Sequence, residues 1–162
     1  MKRTISLLLT LSLLVCSEVL APRSCMASPF AERDLLAANS EFYAALNSVF
    51  RGDAKAMEEA WSHAQDVSYM GPDGLRHLGW DSVRADWALL ASKRLGGTVQ
   101  LAEVRVQPGD SMASVSGIEV GENVVDGQPH KFSIRATNIF RKEEGKWRLI
   151  AHHTDTLPYL GK

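Results

Sequence analysis

Apolar positions along this chain change period near the middle. In "SPFAERDLLAANSEFYAALNSVFRGD", Leu35, Ala38, Phe42, Leu46 and Val49 recur at three- and four-residue steps. That spacing predicts one face of a helix. Ser28 is placed to cap it and Pro29 to occupy its first position. Gly52 can end it, because glycine takes the left-handed conformation without a side-chain clash. Asp53 can cap a second, short helix over "AKAMEEAW", where Met57 and Trp61 lie one turn apart. Asp66 to Met70 reads as a short strand and Gly71-Pro72-Asp73-Gly74 as a turn. A third helix is predicted near Asp81 to Arg94, with Val83, Trp87 and Leu90 on one face, stopped by "LGG".

After residue 97 the period shortens. "TVQLAEVRVQ", "SMASVSGIEV", "HKFSIRATNIF" and "KWRLIAHHTD" are strand-length runs, separated by the turn signals "QPGD", "VVDGQP" and "KEEG". Helices first and short-turned strands afterwards predict an α+β fold with an antiparallel meander. A strongly bent sheet covered on one face by the helices would bury both sets of apolar positions. The open end of such a layer can form a pocket.

The first residues carry a different pattern. Lys2 and Arg3 precede the apolar run "ISLLLTLSLLV", and "CMAS" offers a cleavage point after Ala27. This is the order of a secretory signal peptide over residues 1–27, leaving a single domain over 28–162 and a secreted or periplasmic location. The run is shorter than the ~20 apolar residues a membrane span needs. Both cysteines, Cys16 and Cys25, fall inside that segment. A mature chain from Ser28 therefore has no disulfide, thiol nucleophile or thiolate metal site. It keeps 15 basic and 18 acidic residues, a net charge of −3. No basic stripe interleaved with aromatics appears, which argues against nucleic acid as a partner.

Three strings carry a resemblance: "AWSHAQDVSYMGPDG", "GWDSVRADW" and "IRATNIFRKEEGKWRLIAHHTD". With the order of elements, they resemble the nuclear transport factor 2-like superfamily, in its SnoaL-like, polyketide-cyclase-like branch. The resemblance spans the whole mature chain. It implies a cone-shaped α+β domain with a pocket between the helices and the concave sheet face. It also implies a homodimer formed through the outer sheet face. It does not imply a reaction, because the fold hosts many functions. Many relatives carry histidines at alternate positions of the last strand. Here the first of those positions is Ala151, so only His153 carries over.

Candidate chemistry follows from strand alternation. In the closing strand Trp147, Leu149, Ala151, His153 and Asp155 share one face, and Arg148, Ile150, His152 and Thr154 the other. His152 and His153 then cannot hold one metal together. The Trp147 face is the more apolar, which places His153 and Asp155 inward as a pocket edge and an acid/base candidate. His152 is expected at the surface or a dimer interface. Phe132, Ile134, Ala136, Asn138 and Phe140 form one face of the preceding strand, and Ser133, Arg135, Thr137, Ile139 and Arg141 the other. Periodicity does not choose between them. The resemblance favours Arg135 and Thr137 facing the cavity, with Asp155, Glu119 or an acidic ligand as counter-charge.

Trp61, Tyr69, Met70 and Trp87 complete the expected ligand-binding set, since polar-tipped aromatics suit a pocket lining. Trp61 and Trp87 also fit a plain core. No His-Glu-x-x-His, calcium loop, Gly-x-Ser-x-Gly elbow or phosphate loop appears, so no metal or cofactor is expected. Three functions fit: a secreted pocket protein for a small, partly apolar ligand; a cofactor-free isomerase, dehydratase or cyclase; and an oligomerisation module with no active pocket.

Overall fold

The computed structural model describes residues 29–160. The signal peptide expected at 1–27, and Ser28 as a cap, lie outside the described residues. Helix α1 spans Pro29–Phe50. Its apolar stripe is buried as expected: Leu35, Phe42, Leu46 and Val49 are each 5% exposed or less. Two polar residues, Asn39 and Tyr43, share that buried side. Gly52 ends the helix at a φ of +101°, a conformation that favours glycine. Asp53 Oδ1 then accepts the Lys55 N–H at 2.9 Å, opening helix α2 (Lys55–Ala60). Helix α3 spans Trp80–Lys93 and buries Val83, Asp86 and Trp87.

The strands are β1 (Ser68–Met70), β2 (Arg76–Leu78), β3 (Thr98–Gln107), β4 (Met112–Val125), β5 (Gln128–Glu143) and β6 (Lys146–Thr154). They form one sheet in the order β2-β1-β6-β5-β4-β3. The expected meander is β3 to β6, all antiparallel. β1 joins it parallel to β6, and β2, which the pattern did not predict, closes that edge. No helix among the described residues is long and apolar enough to cross a membrane.

Two irregularities bend the sheet. In β3 the register shifts between Ala102 and Arg105, and Glu103 takes a φ of +52°. Gly117 lies under that bulge, where a Cβ would stand 2.4 Å from the Ala102 carbonyl oxygen. The second irregularity decides the chemistry. Phe140 pairs with Leu149, but Ile139 pairs with Ala151, so Ile150 is an extra residue in β6. Such a bulge breaks strict alternation. Its other edge shows why. The Ser62 N–H takes the Leu149 carbonyl at 2.9 Å, while β1 pairs with β6 from Ala151 onward. Two separate segments share one edge, and the extra residue lets both fit.

The alternation expected for the closing strand is therefore corrected. Beyond Ile150 the faces exchange. His152 points inward and is 2% exposed; His153 is on the outer side and only partly buried.

Candidate functional site

The register across β1, β6 and β5 sorts the side chains into two rows. Tyr69, His152 and Asn138 are paired partners on the inner face. Met70, His153 and Thr137 are paired partners on the outer face. Tyr69 and His152 of the inner row line a cavity of about 40 Å³. Leu46 and Phe50 of α1, Trp87 and Leu90 of α3, and Leu157 and Leu160 of the tail wall it. Glu119, Asn123 and His152 supply its polar end. It has room for a few waters, against the ~300 Å³ or more of a typical ligand site.

Aromatic packing holds the walls. Tyr69 stacks on Trp87 at 4.4 Å and on His152 at 5.6 Å between ring centroids. Phe42 packs against the same imidazole at 4.9 Å, tilted by 58°. Tyr69 also pairs in register with His77, whose Nε2 lies 3.4 Å from Asp86 Oδ1. A second imidazole–carboxyl pair thus stands behind Tyr69, on the side away from His152.

The polar end is a network of buried groups. Tyr43 Oη donates to Glu119 Oε1 at 2.9 Å. Asn138 Nδ2 donates to Asn39 Oδ1 at 2.8 Å. Asn138 Oδ1 meets His152 Nδ1 at 2.6 Å, and His152 Nε2 lies 3.6 Å from Glu119 Oε1. Desolvation disfavours charge on every member. Burial pushes the Glu119 carboxyl up to about 7, opposed by the Tyr43 hydrogen bond. Burial, and secondarily His153, pushes the His152 imidazole down to about 3. Burial, and then Glu119, raises the Tyr43 phenol above its ordinary range. At neutral pH the imidazole is uncharged and the carboxyl sits near its midpoint.

Of the residues expected from sequence, Tyr69 and Trp87 line this cavity. Trp61 is a core residue, 1% exposed, bridged to Leu149 and packed edge-on against Tyr69. Met70, Thr137 and His153 lie on the outer row, and His153 Nε2 contacts Ser68 Oγ at 3.3 Å. Arg135 is not in the cavity. It forms a surface pair with Asp155, with contacts of 2.8 to 3.1 Å and side chains 81% and 37% exposed. The Arg135 guanidinium holds Asp155 down to about 2. That pair is the intramolecular counter-charge, and neither side chain lines the cavity. The physical reason is the face of β5: Ile134, Ala136, Asn138 and Phe140 are buried, which turns Arg135 and Thr137 outward.

His152, Glu119, Asn138, Asn39 and Tyr43 are the residues that pattern reading missed. Glu119 carried a signal. It falls in phase with Ala113 and Val115 on the buried face of β4, where an acid is out of place. Asn39 likewise falls one turn beyond Leu35 on an apolar stripe. Among the described residues no group of three or more His, Cys, Asp and Glu is placed to hold a metal ion.

A family model described as a SnoaL-like domain matches residues 35–157. No functionally curated protein matches the chain. Solved structures share the fold. A candidate dehydratase of the nuclear transport factor 2-like family from Streptomyces avermitilis superposes with a TM-score of 0.70, at 23% identity over 80% of this chain and 99% of that one. A candidate aromatic ring hydroxylase from Novosphingobium aromaticivorans gives 0.68, at 16% identity over 81% and 92%. A hub homology domain of a calcium/calmodulin-dependent kinase II from Chlamydomonas reinhardtii gives 0.60, at 22% identity over 78% and 98%.

Proposed function

We propose that this chain, which belongs to the SnoaL-like family of the nuclear transport factor 2-like superfamily, binds a small, uncharged, mostly apolar molecule bearing one carbonyl or hydroxyl group. The observation that carries this reading is the cavity's lining. Its walls are apolar, its polar lining is Glu119, Asn123 and His152, and no lysine or arginine among the described residues lines it. An anionic ligand would enter without a counter-charge, at a cost burial makes large. Titration with 2-naphthol and with 2-naphthoate, followed by calorimetry, tests the reading. Binding of the naphthol with rejection of the naphthoate is expected. Equal affinity for both would overturn it.

A second reading, cofactor-free proton transfer, is favoured by the Glu119–His152 pair. A neutral imidazole can take a proton while a protonated carboxyl gives one, which isomerisation and dehydration both require. The relative from Streptomyces avermitilis is described as a candidate dehydratase. Deuterium exchange at C6, the saturated carbon beside the carbonyl of cyclohex-2-en-1-one, followed by NMR in heavy water, is the test. Exchange should be faster with the wild type than with His152→Gln. The same rate in both would sink the catalytic reading and leave the binding one standing.

Location and assembly extend the proposal. Residues 1–27, acting as a signal peptide, would direct the domain out of the cytoplasm and then be removed. Intact mass of protein expressed with its leader should correspond to a chain starting at Ser28. A homodimer through the outer sheet face would cover Met112, which is 52% exposed and in register with Arg141. Other solved structures of this fold are named association domains, which supports self-association. Sedimentation of wild type and Met112→Glu checks it, with the variant expected to run as a monomer.

A further inference from the structure

Four side chains close a ring around the polar end of the cavity. His152 contacts Asn138 at 2.6 Å, and Asn138 Nδ2 lies 3.4 Å from Tyr43 Oη. Tyr43 contacts Glu119 at 2.9 Å, and Glu119 Oε1 lies 3.6 Å from His152 Nε2. Every member is at most 6% exposed. In a buried site each donor needs an acceptor, so the protons can be counted round the ring.

Asn138 decides the count. Its amide N–H groups go to Asn39 Oδ1 and towards Tyr43 Oη, both on α1. The edge left for His152 is the carbonyl oxygen, which can only accept. His152 must therefore carry its hydrogen on Nδ1. Tyr43, accepting from Asn138, passes its own hydrogen to Glu119 Oε1. All donors then point one way, and the Glu119–His152 edge is the only one without a direct hydrogen bond. At 3.6 Å it is the longest of the four, beyond the 3.4 Å between Asn138 and Tyr43. Both of its members line the cavity.

We infer that Asn138 is a positioning residue: held by Asn39, it fixes His152 in the Nδ1–H tautomer and leaves the Nε2 lone pair as the proton acceptor of the cavity. Histidine tautomers are set in this way by the hydrogen bond on the other nitrogen. Other described groups near the ring do not supply an alternative partner. Tyr69 stacks on the imidazole, Phe42 packs against it at a tilt of 58°, and His153 points to the opposite side of β6. The inference deepens the proton-transfer reading and rests on it for its use. The tautomer itself is a property of the empty protein.

Long-range proton–nitrogen NMR of uniformly labelled protein at neutral pH tests this without any ligand. The wild type should show a pyrrole-type Nδ1 and a pyridine-type Nε2 for His152. Asn138→Asp keeps the acceptor and should keep that pattern. Asn138→Leu removes it and should shift the hydrogen to Nε2, towards Glu119. An Nε2–H tautomer in the wild type would overturn the inference at once. So would an unchanged pattern in a folded Asn138→Leu protein. Where that variant does not fold, the wild-type and Asn138→Asp spectra still decide. Failure of 2-naphthol to bind or of cyclohexenone to exchange would instead count against the proposed function, and the tautomer result would be untouched.

Discussion

His152 Nε2 stands 3.6 Å from Glu119 Oε1, and the two side chains are 2% and 5% exposed. Removed from water, the pair does not behave as a salt bridge. Burial pushes the carboxyl up to about 7 and the imidazole down to about 3, so both are neutral over most of the acid range. A neutral acid and a neutral base facing one cavity can exchange a proton with a ligand without leaving a bare charge in an apolar site.

The pair gives opposite pH signatures in two variants. Glu119 holds its proton to about pH 7 when folded but only to an ordinary 4.5 when unfolded. Stability from this group is therefore lost as pH rises from 4.5 to 7, by about 3 kcal/mol in all. His152 binds its proton only below about 3 when folded, against an ordinary 6.5. Its contribution rises with pH over that window. In the wild type the two slopes oppose each other between pH 4.5 and 6.5. Glu119→Gln should become more stable with rising pH there, and His152→Gln less stable. Urea denaturation across that range measures both, and parallel curves would refute the assignment.

The adjacent histidines should differ sharply in weight. His152→Ala opens a cavity and strands Asn138 Oδ1, at a cost of about 2–4 kcal/mol. His153→Ala removes one contact with Ser68 from a half-buried site, at a cost of ~1 kcal/mol or less. Denaturant midpoints of the two variants check the ratio. A larger loss at His153 would return it to the inward face.

Arg135 and Asp155 should be silent for ligand binding. Their pair is at the surface, where solvent and salt screen it. Arg135→Ala and Asp155→Asn are expected to leave the urea midpoint and the affinity for 2-naphthol unchanged. A loss of affinity in either would place the pair in the site after all.

Leu160 offers a handle on access. It packs partly buried over the cavity at the end of the tail, and the Leu157 N–H ties that tail to the Pro72 carbonyl at 2.7 Å. Tyr159 adds a stack on His130 at 4.4 Å. Leu160→Ala removes one wall without touching the ring of hydrogen bonds. It should cost ~1–2 kcal/mol of stability, since the side chain is only partly covered. Uptake of the uncharged dye Nile red should rise, measured by its fluorescence. Unchanged uptake would mean that the tail does not limit entry.

The helix–sheet order, the meander and the pocket between them were legible because they follow from period. Leu35, Phe42, Leu46 and Val49 announce α1 at a 3.6-residue repeat, and Ile134, Ala136, Asn138 and Phe140 announce one side of β5 at a repeat of two. The site was less legible because it depends on one departure from that repeat. Nothing local to Ile150 marks a bulge: it is β-branched, apolar and well suited to a regular strand. The cause is distant in the sequence, where Ser62 and Ser68–Met70 compete for the same edge of β6. Arg135 was misplaced for a related reason. The face it leaves to Asn138 is chosen by Asn39 and Tyr43, about a hundred residues earlier.

The extra residue at Ile150 also bears on descent within the family. A chain one residue shorter at this point could keep its imidazole over the same acid while numbering it one position earlier. A chain of equal length but without the bulge would bring His153's counterpart inside instead. Insertion and deletion, more than substitution, would then be the route by which such a pocket gains or trades its base. Equivalent histidines in two relatives would be recognised by their neighbour across the sheet, here Asn138, and not by their place in the string.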